Sequence, residues 1–170
     1  MDEIEFIARG VIMALHNEPT PELLATMKKV VALDDTLYSH RHAMVQHNAD
    51  GQPVGLCLAY DGADYRAMRE RTFAFFPDSS ADLDLTHMED EAGAGEWYID
   101  SLAVLPDHRR QGIASHLLKA QIKKGQDLGL TPTLLVDPDN PSALRLYESV
   151  GFRYDCDVYA FGQIFWKLTL

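Results

Sequence analysis

The stretch "EWYIDSLAVLPDHRRQGIASHLLKAQ", Glu96 to Gln121, passes from a strand through a turn into a helix, and the fold can be read outward from it. Alternation over Glu96 to Val104 puts Tyr98, Asp100, Leu102 and Val104 on one face and Trp97, Ile99 and Ala103 on the other. Both faces are largely apolar, which predicts an interior strand. Pro106 ends it, and Ile113, Leu117 and Ala120 then recur at helical spacing. Arg109 and Arg110 gather positive charge where that helix starts, beside unpaired backbone N–H groups and the positive end of the helix dipole. Gly112 lets backbone approach a ligand closely, and the small Ala114 and Ser115 leave room beside it. Strand, tight turn and helix start are stacked as an anion site requires. A glycine among bases also serves turn geometry alone, so the turn does not by itself settle a function.

Upstream, Ile4, Ile7, Ala8, Val11, Ile12 and Leu15 predict a helix over 3–16, and Thr20, Pro21 and Glu22 form the capped start of a second. "RHAMVQHN" and "PVGLCLAY" flank Asp50 and Gly51 as a hairpin. Residues 64–76 return to helical spacing. Asp78 to Glu96 then carries seven acids and no Lys or Arg, which predicts an exposed loop. Downstream, "TPTLLVD" is a short strand, "NPSALRLYESV" a capped helix, and two last strands surround Gly162. Helices, hairpin, then alternating strands and helices make an α/β (α+β) domain with a mixed sheet.

At 170 residues the chain suits one domain spanning 1–170, and 46% hydrophobic with 24% charged residues is ordinary for a globular protein. A formal charge of −11 opposes binding to nucleic acid and suits a cationic or neutral partner. Cys57 and Cys156 lack metal or redox spacing and read as buried small hydrophobes in a reducing, cytoplasmic setting. No apolar run reaches the roughly 20 residues of a membrane span, and the acidic N-terminus does not read as a signal peptide. Neither a P-loop nor a dinucleotide-binding glycine motif is present.

"RRQGIA", Arg109 to Ala114, resembles the Q/R-x-x-G-x-G/A signature of the GNAT superfamily of acyl-CoA-dependent N-acetyltransferases, and "NPSALRLYESVGF", Asn140 to Phe152, is similar to its second conserved block. The resemblance implies the GNAT fold: a central, mixed, mostly antiparallel twisted sheet flanked by helices, splayed after its fourth strand, here 96–104. Residues 96–152 would be the acetyl-CoA-binding core, and 61–95 a helical and acidic-loop insertion. Arg110 stands where many members have glycine, and Ala114 replaces the usual last glycine. It further implies that Arg109, Arg110, Gln111, Gly112, Ile113, Ala114 and Ser115 hold the coenzyme pyrophosphate. Leu102, Ala103 and Val104 would line the pantetheine arm, and Asn140 would cap a helix and touch the coenzyme. The reaction implied is acetyl transfer from acetyl-CoA to an amine acceptor, a small molecule or a protein amine, by direct attack in a ternary complex. A catalytically weak or inactive acyl-CoA-binding regulatory module is the alternative.

Acyl transfer to an amine needs a base and gains from an acid for the departing thiolate. Tyr147 occupies the family's acid position, and Asp100 and Glu96 are the leading carboxylate bases, with Asp137 a weaker one that terminates its strand. His40, His42 and His47 would not share one strand face, so no metal is expected. His108 is expected in solvent. Tyr38, Tyr60, Tyr65, Phe73, Phe75 and Phe76 suit either an acceptor pocket or the core. No membrane partner is expected, and a homodimer is left open.

Overall fold

Glu96–Val104 forms an interior strand, β3, of a six-stranded mixed sheet, and the computed structural model describes this strand with the rest of residues 1–77 and 87–170. The elements are α1 (Glu3–Ala14), α2 (Pro21–Ala32), β1 (Ala43–His47), β2 (Pro53–Asp61), α3 (Tyr65–Phe73), β3, α4 (Ile113–Asp127), β4 (Thr131–Val136), α5 (Pro141–Ser149), β5 (Arg153–Ala160) and β6 (Gln163–Thr169). The strand order is β1-β2-β3-β4-β6-β5, and each neighbouring pair is antiparallel except the parallel β3–β4. This is the mixed sheet that the order of elements predicts, mostly antiparallel as the family resemblance implies.

Caps fix the helix starts. The Thr20 hydroxyl accepts from the Leu23 N–H with Pro21 in the first turn, and the Asn140 side chain accepts from the Ala143 N–H with Pro141 next in the chain. The α1, α2 and α3 helices pack on one sheet face through Phe6, Ile7, Val11, Val30 and Met68. On the other face α4 and α5 meet Trp97, Ile99, Leu134 and Phe152. Gly10 and Gly125 permit these approaches: an added Cβ would strike Leu56 at the first and come 2.5 Å from the Trp97 ring at the second.

Two irregularities of β3 position the site. Its pairing with β4 covers only Glu96–Ile99 against Thr131–Leu134, so Asp100–Val104 keeps β2 alone and the sheet splays open beside it. Opposite β2, Leu58 faces Ser101 and Ala59 faces Ile99, which leaves Asp100 as the extra residue of a bulge. The bulge corrects the alternation predicted from the strand pattern. Tyr98 and Ala103 share the α1 face, whereas Leu102 turns to the side of Trp97 and Ile99.

Other expectations change too. Residues 78–86 of the acidic segment lie outside the described residues, and the part nearest β3 is not an exposed loop: Met88, Glu91 and Ala92 are buried. Gly62 lets this segment close on the sheet, since a Cβ there would strike the Gly93 backbone. Cys57 is buried as expected, but Cys156 is exposed on β5, whose first five residues all face solvent. Among the described residues no helix is long and apolar enough to cross a membrane.

Candidate active site

A cleft of about 1260 Å³ is lined by Ile113, Ala143 and Tyr147 from one side of the sheet and by Met27, Tyr38 and Phe76 from the other. It therefore runs through the β3–β4 splay. Asp100 to Val104, Arg109, Arg110, Gly112 to Ser115, Asn140 and Tyr147 all line it.

At the turn, Arg110 has φ 62° and Gly112 φ 80°, and no side chain caps α4. The first bond of the helix runs from the His116 N–H to the Gly112 carbonyl, so the N–H groups of Gly112, Ile113, Ala114 and Ser115 have no partner within it. These open donors and the helix dipole fit a pyrophosphate. A Cβ on Gly112 would meet nothing within 4 Å, so the left-handed backbone, rather than crowding, favours glycine there. Crowding does apply at Gly55, where a Cβ would lie 2.8 Å from the Ile113 side chain and push α4 off the sheet.

Arg109 braces the turn, donating from Nε to the Val104 carbonyl at 3.1 Å. Gln111 lies outside the cleft and donates to the Asp107 carbonyl at 3.4 Å. His108 is half-buried at the cleft rather than free in solvent, with a buried Nδ1 lacking a partner among the described residues.

Asn140 uses its side-chain oxygen on the Ala143 N–H, which leaves the amide NH₂ for a ligand. Tyr147 is half-buried, its ring edge-on to Phe152 at 6.3 Å. Burial pushes its hydroxyl up to about 12, so it is a proton donor at neutral pH.

On the α1 side of the splay, two carboxylates are held by hydroxyls. Asp100 accepts from Tyr60 at 2.6 Å and Ser101 at 2.8 Å. Glu91 accepts from Tyr65 at 2.7 Å and Tyr98 at 2.9 Å. Burial raises both pKa values, and the Asp100 charge raises Glu91 further, to about 7, against the hydroxyls that favour ionisation. Burial and the two carboxylates in turn keep Tyr38, Tyr60 and Tyr98 protonated well past their usual range. A buried acid poised near neutrality in a cleft is equipped to take a proton from a nucleophile.

Glu91 is not among the bases that the sequence suggests, Asp100 and Glu96, because charge alone does not separate it from the rest of the acidic run. The apolar Met88 and Ala92, three and one residues away, were the signal that this part turns inward. Glu96 does not line the cleft: it pairs with Lys167 at 2.5 Å and accepts the Gly93 N–H, anchoring the start of β3. Asp137 lines the cleft but holds a turn, accepting the Asp139 N–H. His40 and His42 lie in a 3₁₀ turn before β1, bonded to the Val31 and Thr36 carbonyls, rather than on a strand. No group of three or more His, Cys, Asp or Glu among the described residues is arranged to hold a metal ion. Tyr38, Phe73 and Phe76 line the cleft, whereas Tyr60 and Tyr65 are core rings whose hydroxyls serve the carboxylates.

The model of the Acetyltransferase (GNAT) family matches residues 11–152. A mycothiol acetyltransferase of Paenarthrobacter aurescens is 42% identical over 66 residues, a match covering 38% of this chain and 20% of the relative. The chain thus matches about a fifth of the length of that curated relative. An N-acetyltransferase from Staphylococcus aureus Mu50 has the same fold at TM-score 0.80 and 20% identity, over 99% of this chain and 95% of the other. A second solved acetyltransferase aligns at TM-score 0.77 and 26% identity, over 98% and 93%.

Proposed function

We propose, from the premise that the chain belongs to the GNAT acetyltransferase family, that it transfers an acetyl group from acetyl-CoA to an amine by direct attack in a ternary complex. The observation that carries this reading is the single cleft joining the uncapped start of α4, through the β3–β4 splay, to the Glu91–Asp100 pair. The N–H groups of Gly112 to Ser115 take the pyrophosphate, with the charge of Arg110 beside them. Leu102 and Val104 line the pantetheine arm, whose amides pair with the β3 backbone left open by the splay, and an N–H there polarises the thioester carbonyl.

The acceptor arrives as an ammonium ion. Glu91, working with Asp100, takes its first proton, directly or through water, and the free amine attacks the thioester carbon. As the C–N bond forms and the C–S bond breaks, Tyr147 gives its proton to the thiolate. The second nitrogen proton restores Tyr147 through water, and the carboxylate releases the first to solvent. Ammonium and acetyl-CoA thereby become amide, free thiol and one proton.

The test is a two-substrate kinetic analysis of the purified protein with acetyl-CoA and a panel of primary amines, following free thiol and acetylated amine together. Intersecting reciprocal plots are expected. Parallel plots with an isolable acetyl-enzyme would overturn direct attack, and coenzyme binding without transfer to any amine would overturn the enzyme reading.

A further inference from the structure

The hairpin joining β5 to β6 turns through two residues, Phe161 at φ 51° and Gly162 at φ 79°, between the paired Ala160 and Gln163. Two successive positive φ values define the tight turn whose preferred sequence is Asn-Gly. A bulky side chain strains that first position, because the left-handed region crowds Cβ against the backbone. The other non-glycine residues with positive φ among the described residues are His16 and Arg110, and all three line the cleft. Such strain tends to collect at ligand-holding sites.

The Phe161 ring is half-buried and reaches across to Phe73 of α3, with centroids 6.0 Å apart. Phe165 packs in the same small cluster as Phe161, and Phe76, Glu91 and Asp100 line the same cleft. Of the arginines that line the cleft, Arg110 lies at the phosphate turn and Arg145 on α5, while Arg109 is tied from the turn to the Val104 carbonyl and the Met13 sulfur. The acceptor end is thus apolar, aromatic and anionic at its floor.

We propose that Phe161 is a specificity-determining residue, and that with Phe73 it grips the apolar body of the acceptor, a primary amine carrying an aromatic or similarly bulky hydrocarbon group, while the ammonium reaches Glu91 and Asp100. The inference rests on the acyltransferase function proposed for the cleft. The strained backbone aims the ring at the cleft, and the ring's contact with Phe73 and with substrate offsets the strain. Hydroxyl-rich amines lack apolar surface to bury on those rings and leave polar groups unpaired there.

The experiment compares 2-phenylethylamine, butylamine and ethanolamine as acceptors for the wild type, Phe161→Asn and Phe73→Leu. The wild type is expected to favour 2-phenylethylamine over ethanolamine by at least tenfold in kcat/KM. Phe161→Asn installs the preferred turn sequence, so its Tm should hold or rise. Its KM for 2-phenylethylamine should increase about tenfold while the acetyl-CoA KM changes less than twofold. Phe73→Leu, in a helix rather than the turn, should move the same KM in the same direction. Equal use of ethanolamine, or an unchanged 2-phenylethylamine KM in both variants, would overturn the substrate class and leave the acyltransferase reading standing. Absence of transfer to all three amines and to the wider panel would overturn that reading and this one together.

Discussion

At the donor end of the cleft, backbone N–H groups from one continuous run, Gly112 to Ser115, face the space for the ligand. At the acceptor end, Asp100 from the β3 bulge and Glu91 from the segment before β3 meet hydroxyls from β2, α3 and β3. The first end is built from chain geometry, with Arg110 and Ala114 standing where the family signature often has glycine. The second depends on particular atoms brought together from distant positions, where burial raises the pKa values of both carboxylates. Substitutions should therefore cost catalysis at one end and affinity at the other.

The largest effect is expected from the carboxylates. Glu91→Gln and Asp100→Asn should each lower kcat by roughly 10²–10⁴-fold at neutral pH, the range for a lost general base, with acetyl-CoA affinity unchanged. Folding raises the Glu91 pKa from 4.5 to about 7, so its stabilising contribution is complete below the lower value and lost as pH rises through the upper. Activity needs the ionised form and should rise over that same window. Thermal melts and acceptor kcat/KM measured against pH should thus run in opposite directions in the wild type, and Glu91→Gln should flatten the stability change. A variant with full activity would remove Glu91 from the mechanism.

Tyr147→Phe keeps the ring against Phe152 and removes the proton. A thiolate is already a fair leaving group, so the fall in kcat should be on the order of 10²-fold, at the low end of general-acid effects. The acetyl-CoA KM and the Tm should stay near wild type. Undiminished kcat would leave Tyr147 a packing residue and give the thiolate its proton from water.

The contrast between the ends also explains what the sequence makes legible. The strand–turn–helix run, the Thr20 and Asn140 caps and the hairpin about Gly162 are local, so spacing and turn chemistry predict them. The bulge at Asp100 comes from how β2 pairs with β3, which no single-strand pattern contains, and it reverses the predicted faces of Leu102 and Ala103. Glu91 is separated from its partner Tyr65 by 26 residues, a pairing that no local pattern contains. Glu96 looked suited to catalysis by position along β3, but Lys167, contributed by β6, claims it.

At the donor end, Gly112→Val forces a β-branched residue into φ 80° but meets no protein atom, so the protein should fold with modest strain, about 1–2 kcal/mol. The new side chain would project where the pyrophosphate approaches. CoA affinity should fall more than tenfold, about 1.4 kcal/mol or more, by calorimetry. Unchanged affinity would move the phosphate site elsewhere.

The smallest effect tests whether the donor end relies on backbone alone. Arg110 holds φ 62°, a conformation costing an L-residue roughly 1–2 kcal/mol, whereas glycine adopts it freely. Glycine's greater freedom in the unfolded chain takes back about 0.5–1 kcal/mol, so Arg110→Gly should raise the Tm by roughly 1–3 °C. The substitution also removes one exposed charge near the pyrophosphate, worth about 1 kcal/mol at contact in water, so CoA affinity should fall a few-fold at low salt. Near 1 M salt the screening length shrinks to about 3 Å, and the two proteins should bind CoA equally. A loss beyond tenfold that persists at high salt would mean the guanidinium makes a short, directed contact with phosphate. The donor end would then depend on a particular side chain after all, and the distinction between the two ends would fail there.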